Sequence, residues 1–333
     1  MKKYRLPFNI LVEIIDLTDL NICIELDKYI KANLECVNYN HSNEQTIFLS
    51  IIYKNNCKDS LVYRGKISED ADWIEINNNN VLVFIYKHSN SVFCYEENNH
   101  MFNIYCERNI DLYDLIQDIY AALRWIELQQ IYNNEGIILH ASAVEYNNKG
   151  IIILGDKGSG KTTICTALIE NGAKFISSDR VFVWKYNHCF FMNGWIGTYR
   201  VDEQSINISL SKKHQRNLKK YIKNNLVEEH CKFDNKYRFP PYDFVKLIDG
   251  EFSYLSKIDY ILYIYRDSMI YCNKRMSEES FKNIIDNAIV NYQMPFIETN
   301  SIVNINSGEI GKFIINNNDN IDSVVKKVED LIK

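Results

Sequence analysis

The first part of the chain alternates short apolar runs with polar breaks, a pattern typical of β-strands. The runs, in chain order, are NILVEII, NICIEL, TIFLSIIY, SLVYRG, NVLVFIY, SVFCYEE and MFNIYC. At the N-terminus, Glu13 and Asp16 interrupt the apolar residues that follow the basic segment MKKYR. We therefore interpret this stretch as buried strand rather than as a signal peptide. Together the runs predict a small, mostly antiparallel α+β accessory domain over residues 1–108.

A long helix is predicted next, in the segment NIDLYDLIQDIYAALRWIELQQIYNN. Apolar residues recur there at the spacing that places them on one face of an α-helix. These residues are Leu112, Ile116, Ile119, Leu123 and Ile126. Asn109 or Asp111 could cap the N-terminus, because both side chains accept hydrogen bonds from the first free N–H groups of a helix. We expect this helix, over residues 109–134, to connect two domains.

The order of elements changes after this helix. GIILHASAVEY and GIIIL predict two strands joined by a turn, and a glycine-rich loop follows. KTTICTALIENG then predicts a helix, and AKFISS and RVFVWKY predict two further strands. Strands that alternate with helices are typical of α/β domains. We therefore predict an α/β fold with a second domain over residues 135–333.

Composition narrows the classes of function. The chain has 333 residues, 46% of them hydrophobic, and a formal net charge of -5, which argues against binding to nucleic acid. No run approaches the roughly 18 apolar residues of a membrane span. The nine cysteines include no C-x-x-C pair, which predicts reduced thiols in the cytoplasm rather than disulfides or a zinc site. We expect a cytoplasmic protein without nucleic-acid or membrane partners, and a homo-oligomer stays compatible with this composition.

The segment ILGDKGSGKTT carries the pattern G-x-x-x-x-G-K-[ST] between a predicted strand and a predicted helix. Glycines let successive backbone N–H groups turn toward an anion, and the N-terminus of the helix adds positive potential. The lysine of this pattern reaches the terminal phosphates of a nucleotide, and the threonine hydroxyl can bind Mg²⁺. We therefore predict an ATP and Mg²⁺ site rather than a simple glycine turn. Its residues are Gly155, Asp156, Lys157, Gly158, Ser159, Gly160, Lys161, Thr162 and Thr163.

The segment from LHASAVEY to DRVFVW resembles the catalytic domain of HPr kinase/phosphorylase and of the wider group of HPr-kinase-related proteins. In that group a histidine and small residues open a strand, a hairpin leads to a G-D-x-G-x-G-K-[ST] loop, and an acidic pair follows. His140, the glycine loop and Asp179 occupy these positions here. Downstream, GWIGTYRVDEQSI is similar to a segment of the related group and places Gly197 and Arg200 on its glycine and arginine.

The resemblance implies a P-loop kinase domain with a nucleotide-binding sheet akin to that of phosphoenolpyruvate carboxykinase. It also implies that Asp179 binds the metal or accepts the proton of the hydroxyl, and that His140, Arg200 and Lys161 flank the transferred group. The family has two adjacent aspartates, whereas Ser178 precedes Asp179 here. A serine cannot serve as the base at neutral pH, so Asp179 has both roles or another group is the base. The segment with which true HPr kinases contact HPr has no clear copy, so we do not expect HPr as the partner.

These observations predict an ATP- and Mg²⁺-dependent kinase that phosphorylates a serine of a peptide or protein. Some relatives act in peptide-tailoring systems, which makes a precursor peptide a reasonable acceptor. Two alternatives stay open: a small-molecule kinase for free serine or a sugar, and a nucleotide-dependent binding module with little turnover. A motor of the ABC or GTPase type is disfavoured, because the sequence has no L-S-G-G-Q or N-K-x-D segment.

Overall fold

The chain divides into two compact units, Met1–Gln130 and Ile131–Lys333. The computed structural model describes residues 2–6, 10–16, 22–31, 34–37, 45–53, 73–78, 81–86, 91–96, 101–195, 197–225, 232–233, 235–265, 274–290, 305, 310–316 and 320–332. These residues form a mixed α/β structure with several sheets. None of the helices within these ranges has the length and apolar character that crossing a membrane requires.

The first unit is built on one sheet. Its described strands are β1 (Lys2–Leu6), β2 (Ile10–Asp16), β3 (Glu35–Val37), β4 (Gln45–Tyr53), β5 (Trp73–Asn78), β6 (Val81–Tyr86), β7 (Val92–Glu96) and β8 (Met101–Cys106), and its described helices are α1 (Ile22–Ile30) and α2 (Leu112–Asn133). The strand order is β3-β1-β2-β4-β8-β7-β6-β5. Of the pairings between these described strands, β2 with β4 and β4 with β8 are parallel, and the other five are antiparallel. The sheet is therefore mostly antiparallel, as the pattern predicts.

One predicted strand of this unit is wrong, because the residues ICIEL of the run NICIEL begin the helix α1 (Ile22–Ile30). Ile22, Leu26 and Ile30 are fully buried and recur every four residues, the period of a helix face. The six-residue run is too short to show that period, which becomes visible only when the following residues DKYI are included. The run SLVYRG lies outside the described residues.

The long predicted helix is confirmed as α2, and Asp111 caps it. The Asp111 carboxylate accepts hydrogen bonds from the N–H groups of Tyr113 at 2.8 Å and Asp114 at 3.3 Å. Trp125 of α2 packs against Phe93, Tyr95 and Phe102 of the sheet, with ring centroids 5.1–6.3 Å apart. The first unit thus has a hydrophobic core of its own, and the boundary between the units falls near the C-terminal end of α2.

The second unit contains the glycine-rich loop. Its described strands are β9 (Ile137–His140), β10 (Ser142–Tyr146), β11 (Lys149–Gly155), β12 (Lys174–Ser177), β13 (Arg180–Tyr186), β14 (Cys189–Gly194), β15 (Tyr199–Val201), β16 (Lys232–Phe233), β17 (Lys236–Phe239), β18 (Glu251–Phe252), β19 (Ser256–Tyr265), β20 (Lys274–Arg275) and β21 (Gly311–Asn316). Its described helices are α3 (Lys161–Glu170), α4 (Glu203–Ser209), α5 (Lys212–Asn225), α6 (Pro241–Leu247), α7 (Glu278–Ala288) and α8 (Ile321–Ile332).

A mixed sheet forms the centre of this unit, with the main order β18-β12-β10-β11-β19-β14-β13-β9. β21 adds to it beside β19, and β20 pairs with β21. β11, β19 and β21 run parallel to one another, whereas β10 pairs with β11 in antiparallel fashion. Buried side chains such as Ile152, Leu154, Ile176 and Val181 belong to one continuous core cluster. The apolar runs predicted around the glycine loop therefore are strands of one sheet.

The run GIILHASAVEY, predicted as a single strand, is divided at Ala141 into β9 and β10. The two halves have different neighbours, because β9 pairs with β13 and β10 pairs with β11 and β12. The Ala141 N–H donates to the carbonyl of Asp179 at 3.1 Å. This division brings His140, the last residue of β9, next to the bend that contains Asp179.

A separate small sheet has the order β15-β17-β16. On one side of it, Tyr199 and Phe239 are buried and pack against Phe244 of α6, with Tyr199 stacked at a centroid distance of 3.8 Å. The Tyr199 hydroxyl lies 2.8 Å from the Thr166 hydroxyl of α3. The small sheet is thereby attached to the helix that follows the glycine loop.

Candidate active site

The glycine loop lies between the end of β11 and the start of α3 and has a backbone that larger residues would not adopt. Gly155 has φ 152°, and a Cβ there would come within 2.5 Å of the Ser159 hydroxyl oxygen and 2.6 Å of the Ile264 carbonyl oxygen. Gly160, directly before the helix, has φ 100° in the left-handed region. Positive φ and close approach both favour glycine. The loop therefore takes the tight path to the helix N-terminus that its sequence predicts.

Lys161, the first residue of α3, is only 9% exposed. Its ammonium group donates to the carbonyl oxygens of Gly155 at 2.7 Å and Asp156 at 3.1 Å, so the side chain folds back over the loop. Burial lowers the pKa of Lys161, the Asp179 and Asp156 carboxylates raise it, and Lys236 lowers it. A buried ammonium held by two neutral carbonyls is well placed to exchange them for an anion in the loop.

Strand pairing brings the bend between β12 and β13 to the same edge of the sheet as the glycine loop. Ser142, at the start of β10, pairs with Ile153 near the end of β11. The Ser142 hydroxyl donates to the carbonyl of Ser178 at 2.9 Å, which ties β10 to the bend. Because β10 and β11 are antiparallel, the start of one lies beside the end of the other. Asp179 thus belongs to the same edge as Lys161, although the two are far apart along the chain.

Three charged or titratable side chains meet in this bend. The Arg180 guanidinium forms an ion pair with the Asp179 carboxylate at 2.5 Å, and His140 Nδ1 lies 3.9 Å from the other carboxylate oxygen. Burial is the main cause that lowers the pKa of His140. The Asp179 carboxylate raises this pKa, whereas the positive charges of Lys161, Arg180 and Lys236 lower it further. The lowered pKa favours the neutral imidazole of His140, which has a lone pair available to accept a proton.

The loop is suited to binding a triphosphate and does not form a metal site from protein ligands alone. Three side chains of His, Cys, Asp or Glu do not cluster as a metal site anywhere in the described ranges. Mg²⁺, however, is typically held by one or two carboxylates together with substrate phosphates and water. Thr162, in the first turn of α3, and Asp179 can supply such partial coordination. Thr163 differs, because its hydroxyl lies 2.8 Å from the Ser205 hydroxyl of α4.

The other predicted residues are placed as follows. Asp156, Lys157 and Gly158 are exposed at the tip of the loop, and Ser159 is buried beneath it. Arg200 is exposed on β15 and, among the described residues, makes no hydrogen bond or ion pair with Lys161, His140 or Asp179. The structure therefore brings together the loop, His140 and Asp179, and places Arg200 on the separate small sheet.

Two residues that the sequence analysis did not select take part in this site. Arg180 holds the Asp179 carboxylate, and the Tyr263 hydroxyl of β19 donates to the Asp156 carboxylate at 3.1 Å. Burial, followed by the Asp156 charge, raises the pKa of Tyr263 to about 12, so this hydroxyl keeps its proton. The sequence could have indicated Arg180 as a site residue, because it directly follows Asp179. No local pattern in the sequence indicates Tyr263, because its contact with Asp156 depends on the pairing of β19 with β11.

Comparisons with known proteins do not assign the chain to a family. No protein-family model matches the chain, and no curated protein matches it. Among solved structures, the HPr(Ser) kinase/phosphatase from Coxiella burnetii is similar at 9% sequence identity and a TM-score of 0.32, over 59% of this chain and 95% of that one. A likeness at this level carries no argument about function.

Proposed function

We propose that the protein is an ATP- and Mg²⁺-dependent kinase that transfers the γ-phosphoryl group to a hydroxyl, with a serine of a peptide or protein as acceptor. The observation that carries the proposal is the buried Lys161 ammonium at the N-terminus of α3, folded over a loop with positive φ at Gly155 and Gly160. Such an arrangement concentrates positive potential where a polyanion can bind.

In this proposal Lys161 leaves the carbonyls of Gly155 and Asp156 and binds the terminal phosphates. The N–H groups at the start of α3 hold the remaining phosphate oxygens, and the Thr162 hydroxyl and Asp179 hold the metal ion. When bound, Mg²⁺ neutralises the charge on the phosphates and orients them. During transfer the acceptor oxygen forms a bond to the γ-phosphorus, the bond from that phosphorus to the bridging oxygen breaks, and ADP is the leaving group.

The proton of the acceptor hydroxyl goes to Asp179 or, through it, to the neutral imidazole of His140 at 3.9 Å. Arg180 fixes the direction of the Asp179 carboxylate through the ion pair at 2.5 Å. Ser178 occupies the position where the kinases that this segment resembles have a second carboxylate. In this proposal Asp179 and His140 together perform the functions that two aspartates have in those kinases. His140 is the group that can replace the missing base.

A second candidate function is a nucleotide-dependent binding module with little turnover. The Asp179–Arg180 ion pair favours it, because a carboxylate held by arginine is less available as a metal ligand or a base. Both candidates require nucleotide binding to the loop, and only the kinase requires Asp179 for turnover.

The test of the proposal compares Lys161→Ala and Asp179→Asn with the wild-type protein, using ATP, Mg²⁺ and serine-containing peptides. Lys161→Ala is expected to abolish transfer, because it removes the charge that neutralises the phosphates. Asp179→Asn is expected to lower turnover by about 10² or more, the typical loss of a general base, while nucleotide binding measured by calorimetry persists. Tight nucleotide binding without transfer in the wild type would favour the binding module. Full activity in a folded Lys161→Ala variant would overturn both candidates.

The matched control is Lys185→Gln, which removes an exposed lysine near the end of β13. It changes the net charge as Lys161→Ala does and leaves the loop untouched. We expect its turnover and nucleotide affinity to equal those of the wild type.

A further inference from the structure

The helix α5 carries a single sign of charge on its solvent side. Its 14 residues include six lysines and arginines and no carboxylate, although the whole chain has a formal net charge of -5. All six cations are exposed. At 3.6 residues per turn they fall within an arc of roughly 120° on one face of the helix. We call this set the cationic stripe: Lys212, Lys213, Arg216, Lys219, Lys220 and Lys223.

The opposite side of α5 is fixed to the helix α3 by direct contacts. His214 Nδ1 lies 2.6 Å from one carboxylate oxygen of Glu170, and the Ser211 N–H donates to the other at 3.0 Å. His214 Nε2 lies 3.1 Å from the Asp249 carboxylate, and Leu218 is fully buried. The cationic stripe is therefore presented on a helix whose position is set by packing and hydrogen bonds before any partner binds.

Only two cations of the stripe have a carboxylate partner in the described part of the chain. Lys213 pairs with Asp249 at 2.5 Å, and Lys219 lies 3.8 Å from Glu203. The remaining cations form no ion pair with the described residues, and these are Lys212, Arg216, Lys220 and Lys223.

The uncompensated cations repel one another along the helix. Arg216 is four residues from both Lys212 and Lys220, and like charges at this spacing destabilise a helix. Lys212 and Arg216 are partnered by neutral oxygens, the amide of Gln215 at 3.4 Å and the Lys212 carbonyl at 3.1 Å. Neutral oxygens leave the net positive charge in place. A row of carboxylates along the stripe would convert this repulsion into attraction.

The spacing of the stripe matches a second helix. Eleven residues separate Lys212 from Lys223, so the stripe extends about 16 Å along the axis, with at least one cation per turn. A helix that lies alongside can present one carboxylate per turn at the same repeat of about 5.4 Å. Side chains on one face of an extended chain repeat at about 6.6 Å and lose this register within a few repeats.

We propose that the cationic stripe binds an acidic helical segment of a partner protein, with one carboxylate per turn facing α5. Charge complementarity selects this partner, since the described exposed side chains of α5 include no aromatic or apolar residue. Single-stranded nucleic acid is held largely by stacking of its bases on aromatic rings. A membrane-bound helix inserts an apolar face, whereas the apolar Leu218 of α5 is buried in the protein. The inference does not depend on the proposed kinase function.

The test measures binding of labelled synthetic helical peptides by fluorescence anisotropy, without nucleotide. One peptide has glutamates at four positions spaced by four, three and four residues, and its counterpart has glutamines there. We expect the glutamate peptide to bind the wild-type protein about tenfold more tightly, because several exposed ion pairs act together although each is weak. Higher salt is expected to reduce this preference. A glutamate peptide with a central proline, which interrupts the helix, is expected to bind more weakly.

The double variant Lys220→Glu/Lys223→Glu is expected to lose most of the preference. Its matched control is Lys185→Glu/Lys282→Glu, which changes the net charge equally at exposed lysines outside α5 and is expected to keep the preference. Reversal of all four uncompensated cations to glutamate is expected to invert the preference, so that a peptide with lysines at the four positions binds more tightly. Urea unfolding shows whether each variant is folded, and the double variant is decisive without the quadruple one.

Equal affinity of the wild type for the glutamate and glutamine peptides would overturn the inference, and so would an equal loss of preference in the double variant and its control. Binding of the proline peptide as tightly as the helical one would overturn the helical form of the partner. Vesicles of phosphatidylcholine and phosphatidylserine, and a single-stranded DNA oligonucleotide, are tested with the same variants. Tighter binding of either to the wild type, lost in the double variant, would replace the acidic helix with that anion.

Discussion

The pKa of His140 depends on charges from three segments of the second unit. The Asp179 carboxylate raises it, whereas Lys161, Arg180 and Lys236 lower it in addition to burial. Each of these residues therefore changes the titration of His140 in a direction that follows from the sign of its charge. Measuring the titration of His140 in variants of these residues therefore tests the geometry of the site without any substrate.

We predict opposite shifts of the His140 titration in two variants. Asp179→Asn removes the negative charge that stabilises the imidazolium, so the midpoint moves to lower pH. Lys161→Ala removes a positive charge, so the midpoint moves to higher pH. The midpoints are measured by NMR of the histidine ring protons, with His140→Gln used to assign the signal. Shifts of the same sign, or none, would mean that these residues do not surround His140 as described, and Lys185→Gln is expected to leave the midpoint unchanged.

At the scale of elements, the predictions that succeed depend on neighbouring residues. The glycine loop and α3 are predicted because Gly155, Gly160 and Lys161 are adjacent in sequence and each has a local reason for its identity. The helix α1 is missed because the six residues NICIEL do not show a helical period. Where the pattern extends over several turns, as in α2, the element and its cap at Asp111 are predicted together.

Features that depend on strand register lie beyond a single sequence. Arg200 and Arg238 form an opposed pair only because β15 and β17 align as they do. Tyr263 reaches Asp156 only because β19 runs beside β11. A shift of β15 or of β19 by one residue would turn Arg200 or Tyr263, respectively, to the other face of its sheet. Local patterns cannot specify that register when the strands are three or four residues long, as β15 and β17 are.

The attachment of β15 to α3 leads to a prediction about stability. Tyr199→Phe removes the hydroxyl that lies 2.8 Å from the Thr166 hydroxyl, while Thr166 still donates to the Thr162 carbonyl at 2.7 Å. The buried hydrogen bond to Thr166 is lost, so the free energy of unfolding is expected to fall by about 0.5–1.5 kcal/mol. Tyr199→Ala also removes the ring stacked on Phe244, and the expected loss is about 3–5 kcal/mol.

Urea unfolding measures both losses, and Tyr186→Phe is the matched control because Tyr186 is 63% exposed. We expect that control to change the free energy of unfolding by less than about 0.5 kcal/mol. If Tyr199→Phe were equally harmless, the contact between β15 and α3 would not contribute to stability.

At the scale of the whole molecule, each of the two units has its own buried core. Phe93, Phe102 and Trp125 are buried in the first unit, and Ile152 and Val181 belong to the core of the second. The glycine loop and the bend that contains Asp179 are both in the second unit, Ile131–Lys333. A ligand of the loop therefore binds within the second unit.

We predict that a non-hydrolysable ATP analogue with Mg²⁺ raises only one of two thermal transitions in scanning calorimetry. At a concentration 100 times its dissociation constant, a ligand of the folded state adds about 2.7 kcal/mol of stability. For a unit of this size, each kcal/mol shifts the midpoint by about 2–4 °C, so we expect an increase of roughly 5–11 °C. Tyr199→Ala identifies the transition of the second unit, because it lowers the midpoint of that unit alone. Lys161→Ala is expected to keep both transitions and to lose the increase. Equal increases of both transitions would show that the two units unfold together, and no increase in the wild type would contradict nucleotide binding at the loop.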